Sequence, residues 1–460
     1  VITLSKGFER FRSQRAAPVT RLAQPSPKRL AIWPTVSLVF LLCLPTIFAP
    51  IALTVLNALL VTVALIVALF TSSSIDKRLL TFSAFTAAVA FLGLAMGREA
   101  YIYDYLKDLW YVCNPVLVTA TGYVLYRMKP DLAAALRAFV IAGVIVSLWQ
   151  VRAYFFDPSI ALLPAGIIRR LIGVGSAVPV LGLSILLVFS ACSRQGLRIP
   201  RALAWTLFVV MAICVAGVFS RTAVALILVA AAAAMGCFVR REWLRVGVPL
   251  LLFVAVGLLA SGILDTSSDR ALQSFSGKLL RSFEEVVVGE VYDARSINTN
   301  FRAFETERVL AQFVTVPPVE MLFGQGFGAT VDLGVTMPLM TTETGFKGVR
   351  RIGIFHNGYM YLLTKVGLVG LLLYLCLLGY LYAVPRSRSR GGLSDPDVAA
   401  ARLFQALVVS LVVSTYIVSG IFNRDNMFPY LLLLGVLLSH WSKHDGKVSM
   451  VGGQTQSKTG

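Results

Sequence analysis

The sequence predicts an all-α integral membrane protein with about twelve transmembrane helices, because apolar runs recur at the roughly 20-residue length that crosses a bilayer core about 30 Å thick. Composition agrees. Of 460 residues, 57% are hydrophobic and 14% charged, and the mean hydropathy is +0.77. Soluble globular domains carry about 25% charged residues. The third observation is charge placement: lysines and arginines cluster in every second loop, as they do when basic residues are retained on the cytoplasmic side.

Taken in order, the apolar spans fall near 31–49, 51–70, 79–96, 109–127, 132–153, 173–193, 202–219, 222–239, 243–264, 357–383, 401–421 and 427–441. Residues 1–30 form a basic tail with Lys6, Arg10, Arg12, Arg15, Arg21, Lys28 and Arg29. It is too long for a signal peptide and lacks the small-residue cleavage pattern of one, and it reads as a retained, disordered cytoplasmic tail. Residues 31–264 make a bundle of about nine helices, and 356–441 add about three more before a second cytoplasmic tail at 442–460.

Orientation follows from the basic loops. Lys77 and Arg78, then Arg127, Lys129 and Arg137, then Arg194, Arg198 and Arg201, then Arg240, Arg241 and Arg245, and then Arg386, Arg388 and Arg390 all share the side of the N-terminal tail. Lys443 and Lys447 share it too, so both termini are expected in the cytoplasm. The segment 265–355 is then a large loop on the opposite side, with short helix candidates at 273–287 and 301–314 and glycine-rich turns around Gly324-Gln325-Gly326-Phe327-Gly328.

Several chemistries are excluded. The formal net charge of +19 accompanies no zinc-finger, RNP or helix-turn-helix pattern, so membrane orientation explains it better than nucleic acid. The six cysteines stand in or beside apolar runs and never at CxxC spacing. They read as packing residues. Of the three histidines, His440 and His444 lie at the cytoplasmic end and cannot join His356 in a metal site. With no GxxxxGK[ST] loop and no metal-binding acidic motif, an enzyme here would draw its energy from an activated substrate and need no cofactor.

The informative arginines are those that orientation does not explain: Arg221, Arg281, Arg295, Arg302, Arg308, Arg350, Arg351 and Arg424 on the outer side. A planar, permanently charged guanidinium suits bidentate contact with a diphosphate. Arg221 sits between two apolar runs without room for a loop, where an intramembrane charge is a functional candidate by default. Arg302 and Glu305, at i and i+3, share one face of a short helix and read alone as an ordinary helix ion pair. His356 stands where the polar segment meets the next span, and a neutral imidazole there could take a proton from a sugar hydroxyl.

His356-Asn357, nine residues and then Gly367-Leu368-Val369-Gly370 resemble the signature of the O-antigen ligase and polymerase superfamily. Ser220-Arg221-Thr222-Ala223 is similar to that family's Ser-Arg element, and Arg302 through Gly328 to its arginine, short helix, proline and Gly-x-Gly-x-Gly pattern. The resemblance implies a GT-C-like glycosyltransferase in the bacterial inner membrane that uses an undecaprenyl-diphosphate-linked glycan, with no metal, at the periplasmic face. It implies that His356 assists the acceptor hydroxyl and that Arg221 and Arg302, with Arg281 and Arg424, hold the diphosphate. Asn357 and Glu305 would support them. The acceptor would be a lipid A-core or similar sugar. Leu371 departs from the threonine that ligases often carry after the glycine pair, and a repeat-unit polymerase for O-antigen or exopolysaccharide uses the same donor. The alternative of another class is a non-enzymatic transporter of lipid-linked glycan, for which no inverted repeat is visible.

Overall fold

Apolar residues on every side of a helix leave no polar face for water, so such helices are stable only when packed in a core or in lipid. The chain is built from them. In the computed structural model, described for residues 33–47, 62, 76–97, 102–162, 176–193, 197–218, 220–238, 301–341, 345–386, 394–422 and 427–451, the helices α1 (Trp33–Ile47), α2 (Lys77–Met96), α3 (Ile102–Met128), α4 (Leu132–Phe156), α5 (Ala177–Cys192), α6 (Arg201–Val218) and α7 (Arg221–Ala234) come first. Two short helices follow, α8 (Phe301–Phe313) and α9 (Pro318–Phe323), then a hairpin of β1 (Val331–Thr341) and β2 (Gly345–Ile352). The chain closes with α10 (Gly358–Ala383), α11 (Asp395–Val418) and α12 (Phe428–Val451).

Five of these, α2, α4, α6, α10 and α11, are long and apolar enough to cross a membrane. Their outward residues are large and apolar, among them Phe91, Leu148, Trp205, Ile213 and Leu372, which is the surface a lipid-facing bundle needs. The expected spans near 51–70, apart from Thr62, and 243–264 and the helix candidate at 273–287 lie outside the described residues. Three helices overshoot their expected spans by six residues or more: α3 starts at Ile102 rather than 109, α11 at Asp395 rather than 401, and α12 runs to Val451 rather than 441. Charged side chains at those ends had set the expected limits, and helical backbone tolerates them outside the apolar core.

α12 lies at the centre, with Leu431 to Leu434 and Val436 to Leu438 fully buried. It packs closest on α3, where Gly122 faces the Leu432 backbone and Gly435 faces Thr119, the small-residue contact by which helices approach without a hydrophobic drive between them.

Side-chain contacts at the helix ends fix two ends of the bundle. At one, Tyr126 hydrogen-bonds His440 (2.9 Å), His440 meets Asp397 (3.2 Å), Arg402 donates to the Ala234 carbonyl (2.8 Å) and Arg386 to the Phe238 carbonyl (2.9 Å). At the other, Tyr154 donates to Gly217 (2.7 Å) and the Ser419 amide to His356 (2.6 Å). α7 therefore runs antiparallel to α11, and the first residue of α7 stands at the His356 end.

The hairpin departs from the all-helical expectation. Val331 pairs with Ile352 and Asp332 with Arg351, and after an irregularity the register resumes from Met337 with Val349 to Thr341 with Gly345. Leu333 buries against Phe304, so the hairpin seats α8.

α10 carries one break, at Gly367 (φ 65°, ψ −165°), a left-handed conformation that side chains rarely adopt. The break leaves helix carbonyls without their usual donors. The loop after α9 supplies replacements: the Gln325 amide donates to Thr364 (2.8 Å) and the Gly326 amide to Lys365 (3.0 Å). Gly324 and Gly367 lie backbone to backbone, and a Cβ on either would run into the other strand of chain.

Candidate active site

His356 ends the loop after β2, immediately before the N-cap of α10. Asn357 provides that cap, its side-chain oxygen accepting from the Tyr359 amide (3.1 Å), as a short polar side chain at this position does. The Ser419 residue that ends α11 holds the histidine backbone from the other side. Its amide donates to the His356 carbonyl (2.6 Å), and its hydroxyl donates to the Phe355 carbonyl.

Glu305 fixes the ring. This carboxylate is 1% exposed and stands one turn into α8. One oxygen accepts from the His356 backbone amide (2.6 Å), and the other meets Nδ1 (2.8 Å). A carboxylate partner assigns the proton to Nδ1 and leaves Nε2 with the lone pair. Phe301, one turn before Glu305, meets the imidazole edge-on with centroids 5.8 Å apart. The His356 side chain remains 51% exposed. Its open edge is the Nε2 side, since Nδ1 is taken up by a buried group.

Glu305, which the i, i+3 spacing sets on the same helix face as Arg302, directs both of its oxygens to His356. Arg302 is on the same helix, beside Phe301 and within electrostatic reach of Tyr416 near the end of α11. Arg221 opens α7 at this end of the bundle, behind the Ser220 N-cap that accepts from the Ala223 amide (3.4 Å); its side chain lies outside those described. Arg281, Arg295 and Arg424 also lie outside the described residues. Of the weaker candidates, Arg350 pairs with Asp332 (3.1 Å) on the exposed hairpin, and Arg308 lies over the Phe304 ring.

The structure thus brings His356, Asn357, Glu305 and Arg302 to one end, with the start of α7. Chemically, the group can accept a proton at Nε2 while the carboxylate stabilises the imidazolium that forms, the logic of an oriented base. Among the described residues no three His, Cys, Asp or Glu side chains converge.

A second buried cluster, not anticipated from sequence, lies just behind. Lys365 on α10 and Asp108 on α3 are each 1% exposed and pair at 2.6 Å. Asp108 also accepts from the Tyr361 hydroxyl (3.0 Å) and the Gly328 amide (2.7 Å), and Lys365 donates to the Ala329 carbonyl. The pair ties the glycine-rich loop to two helices. The signal was present in the sequence: Lys365 is a charge inside an apolar span, the kind of residue that demands a partner. No family model matches the chain, and no curated protein matches it.

Proposed function

We propose that the chain is a membrane glycosyltransferase that moves an undecaprenyl-diphosphate-linked glycan onto an acceptor sugar, in the manner of the O-antigen ligases its motifs resemble. The observation that carries the reading is the imidazole of His356, held at Nδ1 by buried Glu305 and open at Nε2, at the bundle end that also carries Arg302 and the start of α7. In this reading the acceptor hydroxyl loses its proton to Nε2 as its oxygen attacks the anomeric carbon. The bond from that carbon to the phosphate oxygen breaks, and the diphosphate leaves with the electron pair. Arg302 and Arg221 neutralise the charge that grows on it, with Arg281 and Arg424 as further phosphate contacts, and the anomeric centre inverts.

The reading includes a GT-C-like arrangement of about twelve spans, with both termini cytoplasmic and the His356 end at the periplasmic face of a bacterial inner membrane. It places the acceptor on lipid A-core or a similar glycan. A deletion strain tests it on a gel of surface polysaccharide. Attachment lost with free polymer intact marks a ligase, single repeats on the acceptor mark a polymerase, and an unchanged ladder contradicts both. Restoration by wild-type but not by His356→Ala or Arg221→Ala, at equal abundance in the membrane, ties the result to these residues.

A further inference from the structure

We infer that the elbow between α8 and the glycine-rich loop, residues 314–328, is embedded among acyl chains of the leaflet at the His356 end. Around α9 the apolar side chains face outward. Val314, Val319, Leu322 and Phe323 are 69%, 59%, 46% and 37% exposed, whereas Glu320 is partly buried and lines a narrow slot with Gln312, Gln325 and Thr364. A contiguous apolar outer surface of this kind marks an interaction face, and here it has a definite neighbour. The Leu322 backbone abuts Gly367, and from there α10 continues with exposed Leu368, Leu372 and Leu375 at helical spacing, a lipid-facing stripe.

Depth follows from helix geometry. α10 has 26 residues, about 39 Å at 1.5 Å per residue, and exceeds a hydrocarbon core of about 30 Å by roughly 9 Å. Gly367 stands nine positions into it, about 13 Å from its start. Even with all the surplus length at the His356 end, the α9 contact lies about 5 Å inside the core, the depth of an interfacial helix.

Irregular backbone at that depth is stable only if its polar groups are satisfied by protein. In the glycine-rich half of the elbow the amides are. The amides of Gly324, Gln325, Gly326, Phe327 and Gly328 donate in turn to Glu320, Thr364, Lys365, Gly93 and the Asp108 carboxylate. The elbow would set the height of α8, and with it Glu305, relative to the bilayer. This inference rests on the membrane assignment and is independent of the transferase reading.

Bimane attached at Val319→Cys or Leu322→Cys, in a full-length Cys376→Ser background, tests it after reconstitution into phosphatidylcholine vesicles. The expected result is loss of fluorescence with acyl-brominated lipid and little loss with aqueous iodide. A control label at Arg350→Cys, on the exposed hairpin, should show the reverse. Iodide quenching at 319 and 322 without bromolipid quenching overturns the proposal by placing the elbow in water. Protection from both quenchers overturns it as well, because another part of the chain or a second copy then covers the face.

Discussion

Both carboxylate oxygens of Glu305 are committed to one residue, the first to the His356 amide at 2.6 Å and the second to Nδ1 at 2.8 Å. Glu305 therefore positions both the backbone and the ring of the histidine. Glu305→Gln keeps the size and one acceptor but removes the charge that favours the imidazolium. Transfer should fall about 100-fold or more, within the 10²–10⁴ range of general-base contributions, with membrane abundance unchanged. Glycan transfer rates from equal amounts of purified protein check this, and undiminished rates contradict it.

The Gly324–Gly367 contact predicts a steep cost for adding a single methyl. Gly367→Ala places a Cβ against the Leu322 carbonyl and the Gly324 amide at a φ of 65°, and Gly324→Ala meets the Lys365 backbone at a φ of 84°. Each should destabilise by about 2 kcal/mol or more, from strain at positive φ plus the clash. Thermal unfolding in detergent measures it. Gly379→Ala, where nothing lies within 4 Å, serves as the tolerated control.

Removing one partner of a buried ion pair strands the other. Lys365→Met leaves Asp108 charged and 1% exposed, and should cost about 3–5 kcal/mol. Adding Asp108→Asn should recover part of this loss. Recovery stays incomplete because the neutral amide is a weaker acceptor for the Gly328 amide and the Tyr361 hydroxyl. A double-mutant cycle on stability reads the coupling, and strictly additive losses contradict the pairing.

The hairpin should loosen in acid. The Gly334 amide and then Arg350 hold the Asp332 carboxyl below its ordinary value of 3.8. A depressed folded-state pKa gives stability that is present above the unfolded value near pH 4 and is lost as the pH falls through the lower folded value. Protection factors of the β1 and β2 amides, corrected for intrinsic exchange, should therefore fall as the pH drops below about 4, and Asp332→Asn should flatten that acid limb. Identical profiles for both proteins contradict the assignment.

The apolar helices and the place of His356 just before one of them were legible in the sequence, because apolar length reports directly on single elements. What joins distant segments was not. Glu305 has an obvious local partner three residues away, yet it faces His356, 51 positions on. The glycines at 324, 326 and 367 were visible as punctuation, but not that one set fills a break in the helix that carries the other. The hairpin was missed although Val331, Leu333 and Val335 alternate, because Gly334 and Pro338 interrupt the pattern. Lys365 was readable as an intramembrane charge, and only the fold names Asp108 as its partner.

The most direct measurement is a single-turnover reaction in vesicles, with purified protein, undecaprenyl-diphosphate-linked glycan and acceptor, following lipid diphosphate release and glycan transfer together. Wild-type protein should release one diphosphate per glycan transferred, with no added metal, and His356→Ala should lower both by about 10²–10⁴-fold while still binding the donor. Donor bound but never cleaved by wild-type protein, or cleavage undiminished in His356→Ala, would contradict the account.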